Sequence, residues 1–388
     1  MSETLVIAQG GGPTAVINQT MAGAVIETLR RDPASRVLGA RFGVRGVRDG
    51  NFVDLAAIPE AELRRIAATP GAALGSTRDK PDEAYCQAIV DGLRRAGATR
   101  FIYIGGNDTA STLQILDDAA GGDIHFVHAP KTIDNDLVEN DHTPGFISAA
   151  EFVANAFLSI DHDFRAMPGI YVGIVMGRHA GFLTASGAAW AEDDVEGPHL
   201  VYVPERPFAV ARLIDDVKAA RSRYGRCVVA MSEGVTGIDG RPLVESLIAP
   251  DRIERDAHGN VQLSGGDLGL AVQSALGEAL RGARVRVDTF GFLPRGFIGI
   301  INPTDAAEAF AAGAFAAEVA ETGSGSVALH HDGRTTVMVR VPLSCVAGKT
   351  RAMPDAFLDP SANRLSGEGR AYFRRLLPQR PDTGPALV

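Results

Sequence analysis

The chain has 388 residues, 45% of them hydrophobic, which is enough to build two packed domains. Its net charge of -9 argues against a nucleic-acid partner, so any preference for anionic substrates has to be local. Cys86, Cys227 and Cys345 lie far apart with no CxxC pair, which excludes a disulfide framework or a cysteine zinc site and fits a reducing compartment. The start lacks a signal region and no apolar stretch reaches bilayer length, so the expectation is a cytoplasmic protein with no membrane partner.

In chain order, residues 5–8 read as a buried strand, followed by a glycine turn and a helix over about 14–31, the rhythm of a parallel α/β sheet. Further strands are predicted at 36–42, 101–104, 124–127, 170–176, 200–203 and 226–231, with helices between most of them. Residues 146–164 form a helix that carries the chain from one α/β lobe to the next. An alanine-rich helix over 305–322 ends at the Gly-Ser break of 323–326. A last strand or hairpin arm is expected over 335–343, and a loose tail over 379–388. No internal repeat is present.

Three loops carry chemistry. Gly10, Gly11 and Gly12 follow the first strand and open the first helix, so backbone N–H groups there can approach a phosphate. Taken alone, this turn is equally a bland turn of any doubly wound domain, and its spacing does not match G-x-G-x-x-G. Gly105-Gly106-Asn107-Asp108-Thr109 joins a strand to a helix, where Asp108 can cap the helix or face a metal. Pro130-Lys131-Thr132-Ile133-Asp134-Asn135-Asp136 crowds one lysine and two aspartates at a strand end, the edge where open α/β sheets bind ligands. If that segment is extended, Thr132, Asp134 and Asp136 share one side, placing both carboxylates together as metal-assisted phosphoryl transfer needs.

These stretches, with Met176-Gly177-Arg178-His179-Ala180-Gly181, Ser232-Glu233-Gly234 and Arg295 in the same order, closely resemble the phosphofructokinase family over most of the chain. The resemblance implies an α/β protein of two doubly wound lobes with the active site in the cleft between them. It implies a donor (pyrophosphate) lobe of residues 1–144 plus 294–345, a sugar-phosphate lobe of residues 145–293, and a C-terminal segment and tail of residues 346–388. Asp134 matches the general base for a sugar C1 hydroxyl, with Lys131, Thr132 and Arg178 beside it in catalysis. Gly11, Gly12, Arg78, Asp108 and Lys131 match donor contacts. Thr132, Asp134, Met176, Gly177, Arg178, Glu233, Arg286 and Arg295 match sugar-phosphate contacts, the last two at the spacing of arginines that grip the 6-phosphate. The implied cofactor is Mg²⁺, near Asp108 and Asp136, and the implied assembly is a homodimer or homotetramer.

The family's ATP users commonly carry Gly where this chain has Asp108 and Lys131, so this pattern is similar to the pyrophosphate-dependent branch. Asp108 would repel an α-phosphate, while Lys131 replaces part of the lost cationic stabilisation. Three departures stand out. Asn107 occupies the place of an aspartate near Mg²⁺, Phe292 that of a His or Tyr near the sugar phosphate, and Gly169 that of an arginine donated across subunits, for which Arg165 is a candidate substitute. They leave sedoheptulose 7-phosphate open as the sugar and an ATP-dependent enzyme as the alternative. His179 reads as structural.

Overall fold

The computed structural model describes residues 3–192, 195–248, 253 and 266–384. In chain order its strands are β1 (Thr4–Gln9), β2 (Arg36–Ala40), β3 (Phe52–Asp54), β4 (Arg100–Gly105), β5 (His125–Pro130), β6 (Ile170–Val175), β7 (Leu200–Tyr202), β8 (Cys227–Ser232), β9 (Val285–Thr289), β10 (Gly325–His331) and β11 (Thr336–Val341). The chain divides into two compact units, residues 1–149 with 295–351, and residues 150–294 with 352–388.

In the first unit seven strands form one sheet in the order β11-β10-β5-β4-β1-β2-β3. All neighbours are parallel except β3 and β11, which run antiparallel at the two edges. β1 and β4 are buried along their whole length, because helices cover both faces and the strands read as continuous apolar runs. From β1 the chain builds outward through β2 and β3, then resumes on the other side of β1 with β4 and β5. The switch point thus lies between β1 and β4. Register pairs Gln9 with Ile104 and Gly105 with Pro130, so the glycine turn, the Gly106 loop and Lys131 leave the sheet side by side.

The return segment after Arg295 is tied in by the helix Pro303–Thr322, whose start carries an Asn302 cap and Pro303 in the first turn. Gly23 and Gly313 let this helix meet the helix Ile17–Arg31 backbone to backbone. A Cβ at Gly313 would lie 1.9 Å from the Thr20 carbonyl oxygen. Asp305, fully buried, accepts hydrogen bonds from the N–H groups of Gly145 (2.8 Å) and Ser148 (2.9 Å) and from the Ser148 hydroxyl (2.6 Å). It thereby caps the helix Phe146–Ala166, the next helix in the chain after the Lys131–Asp136 loop.

Next to it, buried His142 is held by Asp141 (2.8 Å) and Glu308 (2.6 Å). Burial alone would lower its pKa, but the two carboxylates win and raise it to about 9. This raised value makes the charged imidazole stabilising at pH values below the ordinary histidine pKa of about 6.5, and that contribution is lost as pH rises through about 9. His142→Phe is therefore expected to lower unfolding stability by about 1–3 kcal/mol at pH 6, because it leaves two partly buried carboxylates without their cation. The deficit should shrink by pH 10. Urea midpoints of wild type and variant at the two pH values check this, and an equal deficit at both would contradict it.

The second unit holds a four-stranded, all-parallel sheet in the order β7-β8-β6-β9 over its own core. β6 is followed by strands on one side of it and then by β9 on the other, so its carboxyl end is again a switch point. Val175 is level with Ser232, which sets Met176 and Glu233 side by side.

Several sequence expectations shift here. The strand expected at 36–42 stops at Ala40, because Phe42 (φ 61°) and Gly43 (φ 67°) turn left-handed. The strand expected at 124–127 runs on to Pro130, and β10 includes two residues of the supposed Gly-Ser break. The tail is anchored through Arg380, which binds Glu196 (2.9 Å) and the Trp190 carbonyl (2.9 Å). Residues 385–388 lie outside the described residues. Residues 352–384 belong to the second unit. Among the described residues no helix is long and apolar enough to cross a membrane.

Candidate active site

The first unit gathers Gly11, Gly12, Arg78, Lys131, Asp134, Asp136 and Arg295. Gly11 turns with φ 74°, its N–H donating to the Thr77 carbonyl (2.9 Å) and its carbonyl accepting from the Ser76 hydroxyl (2.6 Å). The Lys131 ammonium donates to the Gly12 carbonyl at 2.6 Å. A Cβ at Gly11 would lie 3.3 Å from that ammonium and one at Gly12 3.2 Å from the Arg295 guanidinium carbon, so the turn is glycine because two cations lie over it. Arg295, expected on the sugar phosphate, is thus grouped with the donor residues.

Lys131 is only 3% exposed. Burial and the neighbouring charges of Arg295 and Arg78 outweigh the attraction of Asp134 and Asp136 and lower its pKa to about 8. Arg78 itself is exposed, on a loop braced by Asp79, which pairs with Arg45 (2.6 Å) and accepts from the Tyr85 hydroxyl (2.8 Å).

The Thr132–Asp136 segment is not extended. Asn135 is left-handed (φ 58°), and the Thr132 hydroxyl accepts the Asp134 N–H at 3.1 Å, closing a tight turn. The two carboxylates still come together, by that turn and not by strand alternation. Burial, then the Asp134 charge, holds the Asp136 carboxyl well above the ordinary carboxylate range. Asn107 steadies it, its Nδ2 donating to Asp136 Oδ2 at 2.9 Å. Asp108, expected beside Asp136, sits in the first turn of the helix Asn107–Ala120 with its side chain 74% exposed, 3.3 Å from Lys80. The structure therefore pairs Asp136 with Asp134 and Asn107, not with Asp108.

In the second unit, Met176, Gly177 and Arg178 leave β6 beside Glu233. The Glu233 N–H donates to the Val175 carbonyl (2.8 Å), the Ser232 hydroxyl donates to the Gly177 carbonyl, and Gly234 packs against the Arg178 backbone. Arg178 is exposed and Glu233 half-buried. Arg286 is not brought to this edge. Its backbone is level with Tyr171, about 13 Å along the strand from Val175, and its guanidinium folds onto the Val285 carbonyl at 2.9 Å. Arg165, the candidate substitute at Gly169, is already engaged with buried Asp161 (2.9 Å) and Glu196 (3.6 Å).

The Phosphofructokinase family profile matches residues 4–320. A pyrophosphate–fructose 6-phosphate 1-phosphotransferase of Rhodospirillum rubrum is 48% identical over 380 residues, covering 96% of this chain and 94% of the relative. The chain belongs to the phosphofructokinase family. A protein of the same name from Xanthomonas campestris is 33% identical over 390 residues, covering 96% of this chain and 91% of that one. A crystal structure of pyrophosphate-dependent phosphofructokinase from Marinobacter aquaeolei superposes with a TM-score of 0.84 at 28% identity, over 96% of this chain and 91% of its own.

Phosphofructokinases transfer phosphoryl groups, so a divalent cation is the group to test against these residues. No cluster of three or more His, Cys, Asp or Glu able to hold a metal occurs among the described residues. The fit rests instead on two carboxylates in mutual repulsion and on Asn107 Oδ1, a buried oxygen with no hydrogen-bond partner. Hard oxygen donors, few in number and completed by phosphate oxygens, suit Mg²⁺.

Sequence reasoning missed Asn107 as a positioning group, reading it only as a lost aspartate. It also missed buried His128, which bridges the Ser326 hydroxyl (2.8 Å) and the Gly105 carbonyl (2.8 Å) that also accepts the Lys131 N–H (2.9 Å). The apolar neighbourhood of His128 in sequence gave no sign that its ring fixes the roots of two loops.

Proposed function

We propose that the protein is a pyrophosphate-dependent phosphofructokinase that moves a phosphoryl group reversibly between pyrophosphate and the C1 hydroxyl of fructose 6-phosphate. The observation that carries this is Lys131, buried beside the glycine turn and bonded to Gly12, in the space that an ATP user keeps open. The 48% identical relative bears a name of the same chemistry.

In this reading the first unit binds the donor. Gly11 and Gly12 present backbone to the phosphates, while Lys131, Arg295 and Arg78 supply cationic charge around them. Asp134 accepts the C1 proton as that oxygen attacks in line, and Thr132 holds the loop in its turn. Asp136 and Asn107, beside the base Asp134, would hold Mg²⁺, which would supply neutralising charge for the phosphoryl oxygens. Met176, Gly177, Arg178 and Glu233 receive the sugar phosphate, with Arg178 offering a guanidinium to the transferring group. The assembly proposed is a homodimer or homotetramer in the cytoplasm, checked by light scattering.

A coupled assay crossing pyrophosphate and ATP with fructose 6-phosphate and sedoheptulose 7-phosphate tests the reading. Turnover is expected with pyrophosphate and fructose 6-phosphate, and robust use of ATP would overturn the donor assignment.

A pH dependence follows from Lys131. Its charge is present below about 8 and lost above, so kcat/KM for pyrophosphate should fall as pH rises through that value. Lys131→Arg, which keeps its charge, should move the alkaline limb upward, and an unchanged limb would assign it to another group.

A further inference from the structure

We propose that Arg351 is a positioning residue for the Asp134–Asp136 turn, a clamp that fixes where the carboxylates of the proposed phosphoryl transfer stand. The inference rests on that reading and adds to it a residue beyond position 320, where the match to the family profile ends.

The loop that carries Asp134 and Asp136 is held in a shape it would not take alone. Asn135 (φ 58°) and Glu139 (φ 63°) are both left-handed, and for a residue such as glutamate that conformation has to be imposed by its surroundings. Arg351 reaches both places. Its backbone N–H donates to the Asp136 carbonyl at 2.7 Å, directly after Asn135. Its guanidinium Nη1 donates to the carbonyls of Asn140 and, at 2.8 Å, Asp141, directly after Glu139. The charged side chain thus anchors the residue on the far end of the loop and thereby sets its N–H against Asp136.

The same stretch of chain reaches the other member of the Asn107–Asp136 pair. Gly348 donates its N–H to the Ser111 hydroxyl (3.0 Å), which donates in turn to the Asn107 carbonyl (3.1 Å), and Val346 packs with Ala110 and Leu137. Residues 346–351 therefore tie the root of Asn107 and the backbone of Asp136 to one short segment. The bond from Asn107 Nδ2 to Asp136 Oδ2 spans what that segment holds together. Leu329 of β10 pins the outer turn separately, its N–H donating to Asn140 Oδ1 (2.9 Å) and its carbonyl accepting the Asp141 N–H (2.8 Å). Loss of the guanidinium should therefore loosen the Asp136 side of the loop while β10 keeps the rest in place.

Wild type, Arg351→Met and Arg351→Lys, each as the full chain, test the clamp. In the metal-free protein, amide hydrogen exchange over residues 133–141 is expected to quicken about tenfold or more in Arg351→Met, with other segments at wild-type rates. With pyrophosphate and fructose 6-phosphate, its kcat is expected to fall about 10²-fold, as for a catalytic group displaced by about 1 Å. The Mg²⁺ concentration for half-maximal rate should rise about tenfold or more, while calorimetric affinity for fructose 6-phosphate changes little. Arg351→Lys, whose ammonium keeps the charge and three donors, should fall between the two on both readouts. A urea midpoint that drops together with faster exchange across the whole first unit would make Arg351 a residue of general stability and overturn the assignment. So would an unchanged loop, or a loosened loop with kcat and Mg²⁺ requirement at wild-type values. Were wild type itself to lack turnover with pyrophosphate while the loop still loosened in Arg351→Met, the functional reading would fail and the clamp would stand.

Discussion

Asp134→Ser is expected to lower kcat by about 10²–10⁴-fold, the range for a positioned general base, while the affinity for fructose 6-phosphate changes only modestly. The carboxylate lies at the turn that Thr132 closes and shares a largely buried neighbourhood with Asp136, whose carboxyl is pushed up by burial and by the Asp134 charge. Two carboxylates so placed titrate as a pair, and the second proton leaves above the ordinary carboxylate range. Steady-state kinetics with pyrophosphate and fructose 6-phosphate, together with calorimetric sugar binding, distinguish the outcomes. An Asp134→Ser protein with near-normal kcat would refute the base assignment.

The rhythm of buried strands and glycine turns made the doubly wound fold legible, because parallel strands covered on both faces appear as unbroken apolar runs. Some strands did not show. β3 has three residues, and β10 opens with Gly325 and Ser326, whose composition signals a turn. The loops that carry the chemistry were found by residue type, but type does not give direction. Asp134 and Asp136 meet through a left-handed Asn135, a backbone choice that alternation along a strand cannot anticipate. Asp108 and Arg286 match motif positions, yet one extends from the first turn of its helix toward Lys80 and the other folds onto its own strand. Asn107, read as a lost acid, acts as the hydrogen-bond donor that a crowded carboxylate needs.

The same difference in direction separates the two residues that set the donor. Lys131→Gly should lower kcat/KM for pyrophosphate by about 10²–10³-fold, since a buried cation bonded to the Gly12 carbonyl is already in place where phosphoryl charge develops. Asp108→Gly alone should change it far less, because its 74% exposed carboxylate is screened by water and by Lys80, and exposed ion pairs contribute little. Its effect belongs to exclusion. With Lys131 removed as well, the space beside the glycine turn opens and a carboxylate that repels an α-phosphate is gone, so the double variant should gain measurable ATP use that neither single variant shows. Pyrophosphate and ATP kinetics on the two single variants and the double variant test this division. If Asp108→Gly cripples pyrophosphate use while Lys131→Gly preserves it, the carboxylate and not the buried ammonium governs the donor, and the assignment of Lys131 fails.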